Sequence, residues 1–215
     1  MESSTIKSLG KSWHRAGTVH DSALDEMERL SVKGQRSIES GTGRSTLLLS
    51  QYGRHTVFTI DDAGEGSSLS AVKASPLLAP DTDFVLGPTQ KTFPRYDFEP
   101  LDFALLDGPH AYPFPEIEYY FVYPHLKPGA VLVIDDIHLP TVRRLWTFLV
   151  KDDMFEKISV KRTTGFLRRT SAPTFDPTGD GWEHQRFNRT HPRHKFNYAN
   201  NMARWAVRTL IGPKR

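Results

Sequence analysis

The chain has no cysteine, which excludes disulfides, thiolate zinc sites and cysteine nucleophiles. It also lacks any apolar run of the roughly 18–20 residues that a membrane-spanning helix needs. Met1 to Gly10 is polar, without the apolar stretch of a secretory leader. The default compartment is therefore the cytoplasm. A third scarcity is local. From His184 onward Arg186, Arg189, Arg193, Lys195, Arg204, Arg208, Lys214 and Arg215 meet no acidic residue. Such a tail suits nucleic acid, an anionic lipid surface or plain solvent. Its neighbours Trp182, Phe187, Phe196, Tyr198 and Trp205 do not recur as aromatics do along a single-strand groove, and nucleic acid is not an expected partner.

What is present is the composition of a soluble globular protein: 215 residues, 38% apolar and 25% charged. That length suits one domain with a sizeable core. The chain is organised around Arg36 to Tyr52. A short strand, about Ser37 to Glu39, ends in an acid; Gly41 and Gly43 make a turn; a helix follows from Ser45 to Gln51. Before it, Asp21 or Ser22 is placed to cap a helix through Leu30. After it come a strand over His55 to Asp62, a helix near Leu69 to Leu77, and a third strand over Thr82 to Leu86. A fourth strand ends at Asp107, and a helix runs from Pro115 to Leu126, turned by Lys127-Pro128-Gly129. The fifth strand ends at Asp135 and Asp136, a helix spans Thr141 to Val150, and late strands lie between Ser159 and Arg168. Alternation of strand and helix predicts an α/β fold with a doubly wound, mostly parallel, Rossmann-like sheet and helices on both faces. Ligands of such sheets bind beyond the carboxyl ends of the strands, where Glu39, Asp61, Asp107, Asp135 and Asp136 would share one rim.

Three cofactor chemistries compete for the Gly41 turn. A P-loop needs a first glycine where Ile38 stands and a lysine where Arg44 stands. A dinucleotide turn needs a third glycine where Thr46 stands, and Glu39 would repel its diphosphate. S-adenosylmethionine has no phosphate and carries an ammonium and a sulfonium, so an acid beside the turn suits it. The E-x-G-x-G-x-S run of Glu39 to Ser45 resembles the first motif of class I S-adenosylmethionine-dependent methyltransferases. By that resemblance Glu39, Ser40, Gly41, Gly43 and Ser45 contact the cofactor, and Asp61 accepts its ribose hydroxyls. Adenine contacts fall to Thr89 or Gln90, and Asp107 borders the cofactor at the fourth strand.

The second informative pair is L-L-D-G-P-H-A-Y (Leu105 to Tyr112) and V-I-D-D-I-H (Val133 to His138). Carboxylates gathered at two adjacent strand tips repel unless a cation holds them, and oxygen-rich sites suit Mg²⁺ or a similar divalent ion. The alternative is that these acids cap backbone N–H groups or serve the cofactor without metal. These segments, with L-K-P-G-A-V-L-V-I-D-D at Leu126 to Asp136, resemble the metal-dependent small-molecule O-methyltransferases of the catechol and antibiotic-sugar types. The resemblance implies Asp107, Asp135 and Asp136 as metal ligands and methyl transfer to a hydroxyl of a small molecule in secondary metabolism. Pro109 stands where sugar-modifying relatives often carry an acid, which leaves His110 as the expected base beside Asp107, with His138 as its rival.

The expected organisation is an arm and helix over 1–35, the cofactor-binding core over 36–170, and a basic extension over 171–215 packed on the core or between subunits. Trp13, His14, His20 and the Asp176 to Asn188 run are candidates for acceptor specificity. Two alternatives stay open: a metal-independent methyltransferase, and a weakly catalytic methyltransferase-like domain that binds RNA or an anionic surface.

Overall fold

In the computed structural model, residues 2–10, 13–14, 17–60, 64, 66–173 and 185–190 are described. Seven strands form one sheet in the order β3-β2-β1-β4-β5-β7-β6. They are β1 (Gln35–Ser40), β2 (Gly53–Thr59), β3 (Thr82–Leu86), β4 (Leu101–Leu106), β5 (Leu126–Ile134), β6 (Phe155–Lys161) and β7 (Thr164–Arg169). The first five are parallel, and the β6–β7 hairpin joins β5 antiparallel. The helices are α1 (Glu2–Lys7), α2 (Asp21–Leu30), α3 (Arg44–Ser50), α4 (Ser68–Lys73), α5 (Thr89–Thr92), α6 (Phe114–Val122), α7 (Pro140–Leu149) and α8 (Arg186–Thr190). This is the doubly wound Rossmann-like sheet that the sequence predicts.

Strict alternation divides the core into two layers. Phe103 and Leu105 of β4, Val131 and Val133 of β5, and Phe166 of β7 pack with Leu24 and Met27 of α2 and Leu47 to Leu49 of α3. Ala104, Leu106, Leu132, Ile134 and Leu167 face the other way, onto Val122 of α6 and Val142, Leu145 and Leu149 of α7. Because both faces are covered, the central strands read as continuous apolar runs.

Several boundaries differ from the sequence reading. The cap of α2 is His20, whose Nδ1 accepts the Ser22 N–H at 3.2 Å; an imidazole acceptor does the work expected of Asp21 or Ser22. Lys127-Pro128-Gly129 is the exposed start of β5 rather than a turn, since Leu126 already pairs with Leu101 before a register shift. The loop after β3 contains α5 and a 3₁₀ turn, Phe93–Arg95. Asp61, Asp62, Trp182 and most of the basic tail lie outside the described residues. Among the described residues no helix is long and apolar enough to cross a membrane.

Candidate functional site

Strand order reverses between β1 and β4, and the tips there carry the site. Gly41 leaves β1 with φ +95° and donates its N–H to Phe58 O at 2.9 Å. A Cβ at Gly41 would lie 2.8 Å from the Asp107 carbonyl oxygen, so glycine meets both a backbone and a steric demand. The turn beyond it is held from inside. The Gly43 N–H donates to Thr46 Oγ1 at 3.0 Å, and that hydroxyl donates to Glu39 Oε1. Glu39 is buried, with His55 Nε2 3.3 Å from the same oxygen. Among the described residues its buried Oε2 has no hydrogen-bond partner, and a buried acceptor of that kind calls for a donor.

Arg44, which stands where a P-loop would have lysine, turns away from the cleft. It pairs with Asp21 at 2.8 Å and donates to Thr18 Oγ1 and Val19 O at 2.9 and 2.8 Å. Its job is to pin the arm onto α3. The same arm brings His14 Nε2 to 3.4 Å from where a Cβ of Gly43 would stand.

Beside the turn is a cleft of about 350 Å³ lined by Gly41, Phe58, Thr59, Ile60, Gly87, Pro88, Thr89, Gln90, Asp107, Gly108 and Pro109. Of the predicted cofactor residues, Gly41, Thr89, Gln90 and Asp107 line this cleft. Ser40 lies just beneath it and Glu39 behind the turn; Ser45 is buried in the first turn of α3. The apolar lining, above all Ile60 at 63% exposure, was not foreseen. An exposed isoleucine following an apolar strand has no sequence signal separating it from core.

At the neighbouring tips, Asp107, His110 and Asp136 each offer a ligand atom, all within 4.8 Å of one another. His110 Nε2 lies 3.5 Å from Asp107 Oδ1 and 3.4 Å from Asp136 Oδ2. Asp136 holds φ +52°, a left-handed conformation uncommon outside glycine and found at functional sites. Asp135 is brought near but is engaged elsewhere: its buried Oδ1 accepts Thr164 Oγ1 at 2.7 Å. The structure thus gathers two of the three expected metal ligands with the expected base, and ties the third to the β6–β7 hairpin. His138, the rival base, reaches Asp136 at 3.6 Å from an exposed position.

The electrostatics show a crowded cluster. Burial first, then the charges of Asp135 and Asp136, push the Asp107 carboxyl up to about 7, opposed by the His110 hydrogen bond. The Asp107 carboxyl, 3.5 Å away, in turn raises the His110 imidazole above its ordinary value, against partial burial. A proton or a cation is what this cluster lacks. Two carboxylates, an imidazole and a nearby third carboxylate form a donor set that fits Mg²⁺ or Mn²⁺ better than a thiophilic ion.

One residue was missed altogether. Glu118 sits in the buried stripe of α6 between Pro115 and Val122, and its carboxyl is pushed up to about 7, chiefly by burial. Spacing alone could have placed it on that stripe, but nothing in the sequence names its partners.

Comparison with known proteins fits this geometry. Residues 38–137 match the family described as a methyltransferase domain. The fold is shared with TomG, an O-methyltransferase from Streptomyces achromogenes involved in tomaymycin synthesis and solved with S-adenosylmethionine. That pair has a TM-score of 0.56 at 19% identity, over 72% of this chain and 82% of TomG. It is also shared with the O-methyltransferase NovP, at TM-score 0.58 and 17% identity over 76% and 88%. MycE, a methyltransferase from mycinamycin biosynthesis solved with Mg and S-adenosylhomocysteine, gives 0.54 and 15% over 81% of this chain and 58% of its own. No curated protein sequence matches. Residues 38–137, just under half of the chain, are thus similar to a methyltransferase domain, and the fold is the one that TomG and NovP share.

Proposed function

We propose that the protein is an S-adenosylmethionine-dependent O-methyltransferase acting on a sugar or phenolic hydroxyl of a small molecule, with a divalent metal assisting. The observation that carries this reading is the place of Asp107. Its backbone closes the Gly41 turn, while its carboxyl belongs to the His110–Asp136 cluster. Cofactor cleft and charged cluster therefore meet at one residue, as transfer between two bound molecules requires.

In this reading Ile60 and Pro88 give the apolar walls for a purine, and Glu39 Oε2 is the acceptor facing the cofactor's ammonium. Asp107 and Asp136 hold the metal, with Asp135 and His110 completing or flanking the set. A bound divalent ion supplies Lewis acidity that lowers the pKa of an acceptor hydroxyl. His110, once neutral and with its Nε2–H turned to Asp107 and Asp136, takes the hydroxyl proton at Nδ1. One observation favours a second, metal-free reading: His110 Nε2 already lies 3.5 and 3.4 Å from the two carboxylates, so an imidazolium offsets one of their charges without a metal.

The test is transfer of label from methyl-labelled S-adenosylmethionine to a panel of phenols and sugars, with and without Mg²⁺. Mg²⁺-dependent ether formation, lost in Asp136→Asn, supports the first reading. Equal transfer in a chelator supports the second. Methylation confined to amines would overturn both.

A further inference from the structure

Burying a carboxyl in a helix stripe is costly unless its oxygens are satisfied, and the partners of Glu118 are all in one place. Its Oε2 accepts the Ser40 hydroxyl at 2.9 Å, and its Oε1 accepts the Thr89 hydroxyl at 2.7 Å. Ser40 ends β1, and Thr89 opens α5 in the wall of the cleft. Ser40 Oγ also accepts the Asp107 N–H at 3.1 Å. The third strand tip closes over the same carboxyl, because a Cβ at Gly108 would fall 2.0 Å from Glu118 Oε1. Gly108 is therefore what lets the β4 turn lie against Glu118.

We propose that Glu118 is a positioning residue for the cofactor cleft: through Ser40 and Thr89 it fixes the tips of β1, β3 and β4 relative to one another, and with them the Asp107–Gly108 backbone. The inference rests on reading that cleft as the cofactor site. Hydrogen-bond direction makes it specific. Ser40 Oγ already receives the Asp107 N–H, so its single proton goes to Glu118. Thr89 sends its proton to the other oxygen. Above a pH of about 7 Glu118 is a carboxylate and serves both donors, whereas a carboxamide has one oxygen and turns its NH₂ toward one of them. Glu118→Gln keeps the volume and breaks this arrangement.

The experiment compares wild type, Glu118→Gln, Thr89→Val and the double variant, titrated calorimetrically with S-adenosylhomocysteine at a pH of about 8, where Glu118 is a carboxylate. Melting temperatures and amide exchange at Asp107 and Gly108 of the ligand-free proteins are measured in parallel. Glu118→Gln is expected to weaken binding about tenfold, as loss of a charge-assisted hydrogen bond does, with the melting temperature kept and the two amides exchanging faster. The double variant should be no weaker than the weaker single one, since both changes cut the same link. Wild-type affinity in Glu118→Gln, or losses that multiply in the double variant, would overturn the proposal. Should Glu118→Gln not fold, Thr89→Val decides: unchanged affinity there overturns it. Failure of wild type to bind S-adenosylhomocysteine would sink the cofactor reading instead. Amide exchange would still judge Glu118, with unchanged rates counting against it.

Discussion

On the β1–β3 side of the rim the cleft is walled by Gly41, Phe58, Ile60 and Pro88, and the nearest acid on β1, Glu39, is buried behind the turn and bound to Thr46. On the β4–β5 side, Asp107, His110 and Asp136 crowd together part-exposed, with one carboxyl pushed up to about 7. Apart from Glu39 Oε2, the first half is finished by backbone and packing, so ligand affinity there should be set mainly by shape. The second half is electrostatically incomplete and should respond to protons and cations. On the proposed function, cofactor binding and metal binding should therefore be separable by mutation, even though Asp107 is assigned to both.

The largest effect is expected at the shared point. Gly41→Ala places a Cβ 2.8 Å from Asp107 O at a positive φ, a strain of about 1–3 kcal/mol that also displaces the turn. Calorimetry should find no S-adenosylhomocysteine binding, while Mg²⁺ binding persists if the halves are independent. Next, His110→Ala should lower methyl transfer on the order of 100-fold, the usual worth of a general base, with cofactor affinity unchanged. Equal loss of both would erase the distinction between the halves.

The pH response sharpens it further. In the fold Asp107 keeps its proton up to about 7, and a metal must displace that proton. The rise in melting temperature produced by Mg²⁺ should therefore be larger at pH 8 than at pH 6. The sign for the ligand-free protein is opposite. Asp107 and Glu118 both have folded values raised to about 7, so their protonated forms favour folding. Stability should fall by about 1–3 kcal/mol per group as pH rises from the ordinary carboxylate range through 7. Denaturant unfolding at several pH values reads this, and Glu118→Gln should flatten the slope. The smallest effect belongs to His138→Ala, with less than about threefold change in turnover, because its imidazole is exposed and 3.6 Å from Asp136.

Much of this architecture was legible because it depends on periodicity. The apolar runs at Phe103–Leu106 and Ala130–Ile134 announced strands buried on both faces. The acids at their ends announced the rim. Gly41 was legible as a turn, but the steric demand of Asp107 O on it was not. What was not legible depends on which side chains meet across the sheet. Arg44 reads as a failed phosphate ligand, yet it holds the arm through Asp21. Asp135 and Asp136 look equivalent in sequence, but period-two alternation and a left-handed Asp136 send one inward to Thr164 and the other to the rim. Glu118 lies 78 residues from Ser40, and no local pattern reports such a contact. Lys127-Pro128-Gly129 misled because Pro and Gly mark turns in general, whereas here they begin an exposed strand end.

The most direct test is calorimetric titration of S-adenosylmethionine into the protein, with and without Mg²⁺, beside Asp136→Asn. Saturable cofactor binding is expected in both proteins, with a separate Mg²⁺ heat in wild type that Asp136→Asn loses. Absence of cofactor binding from wild type under either condition would contradict the proposed function.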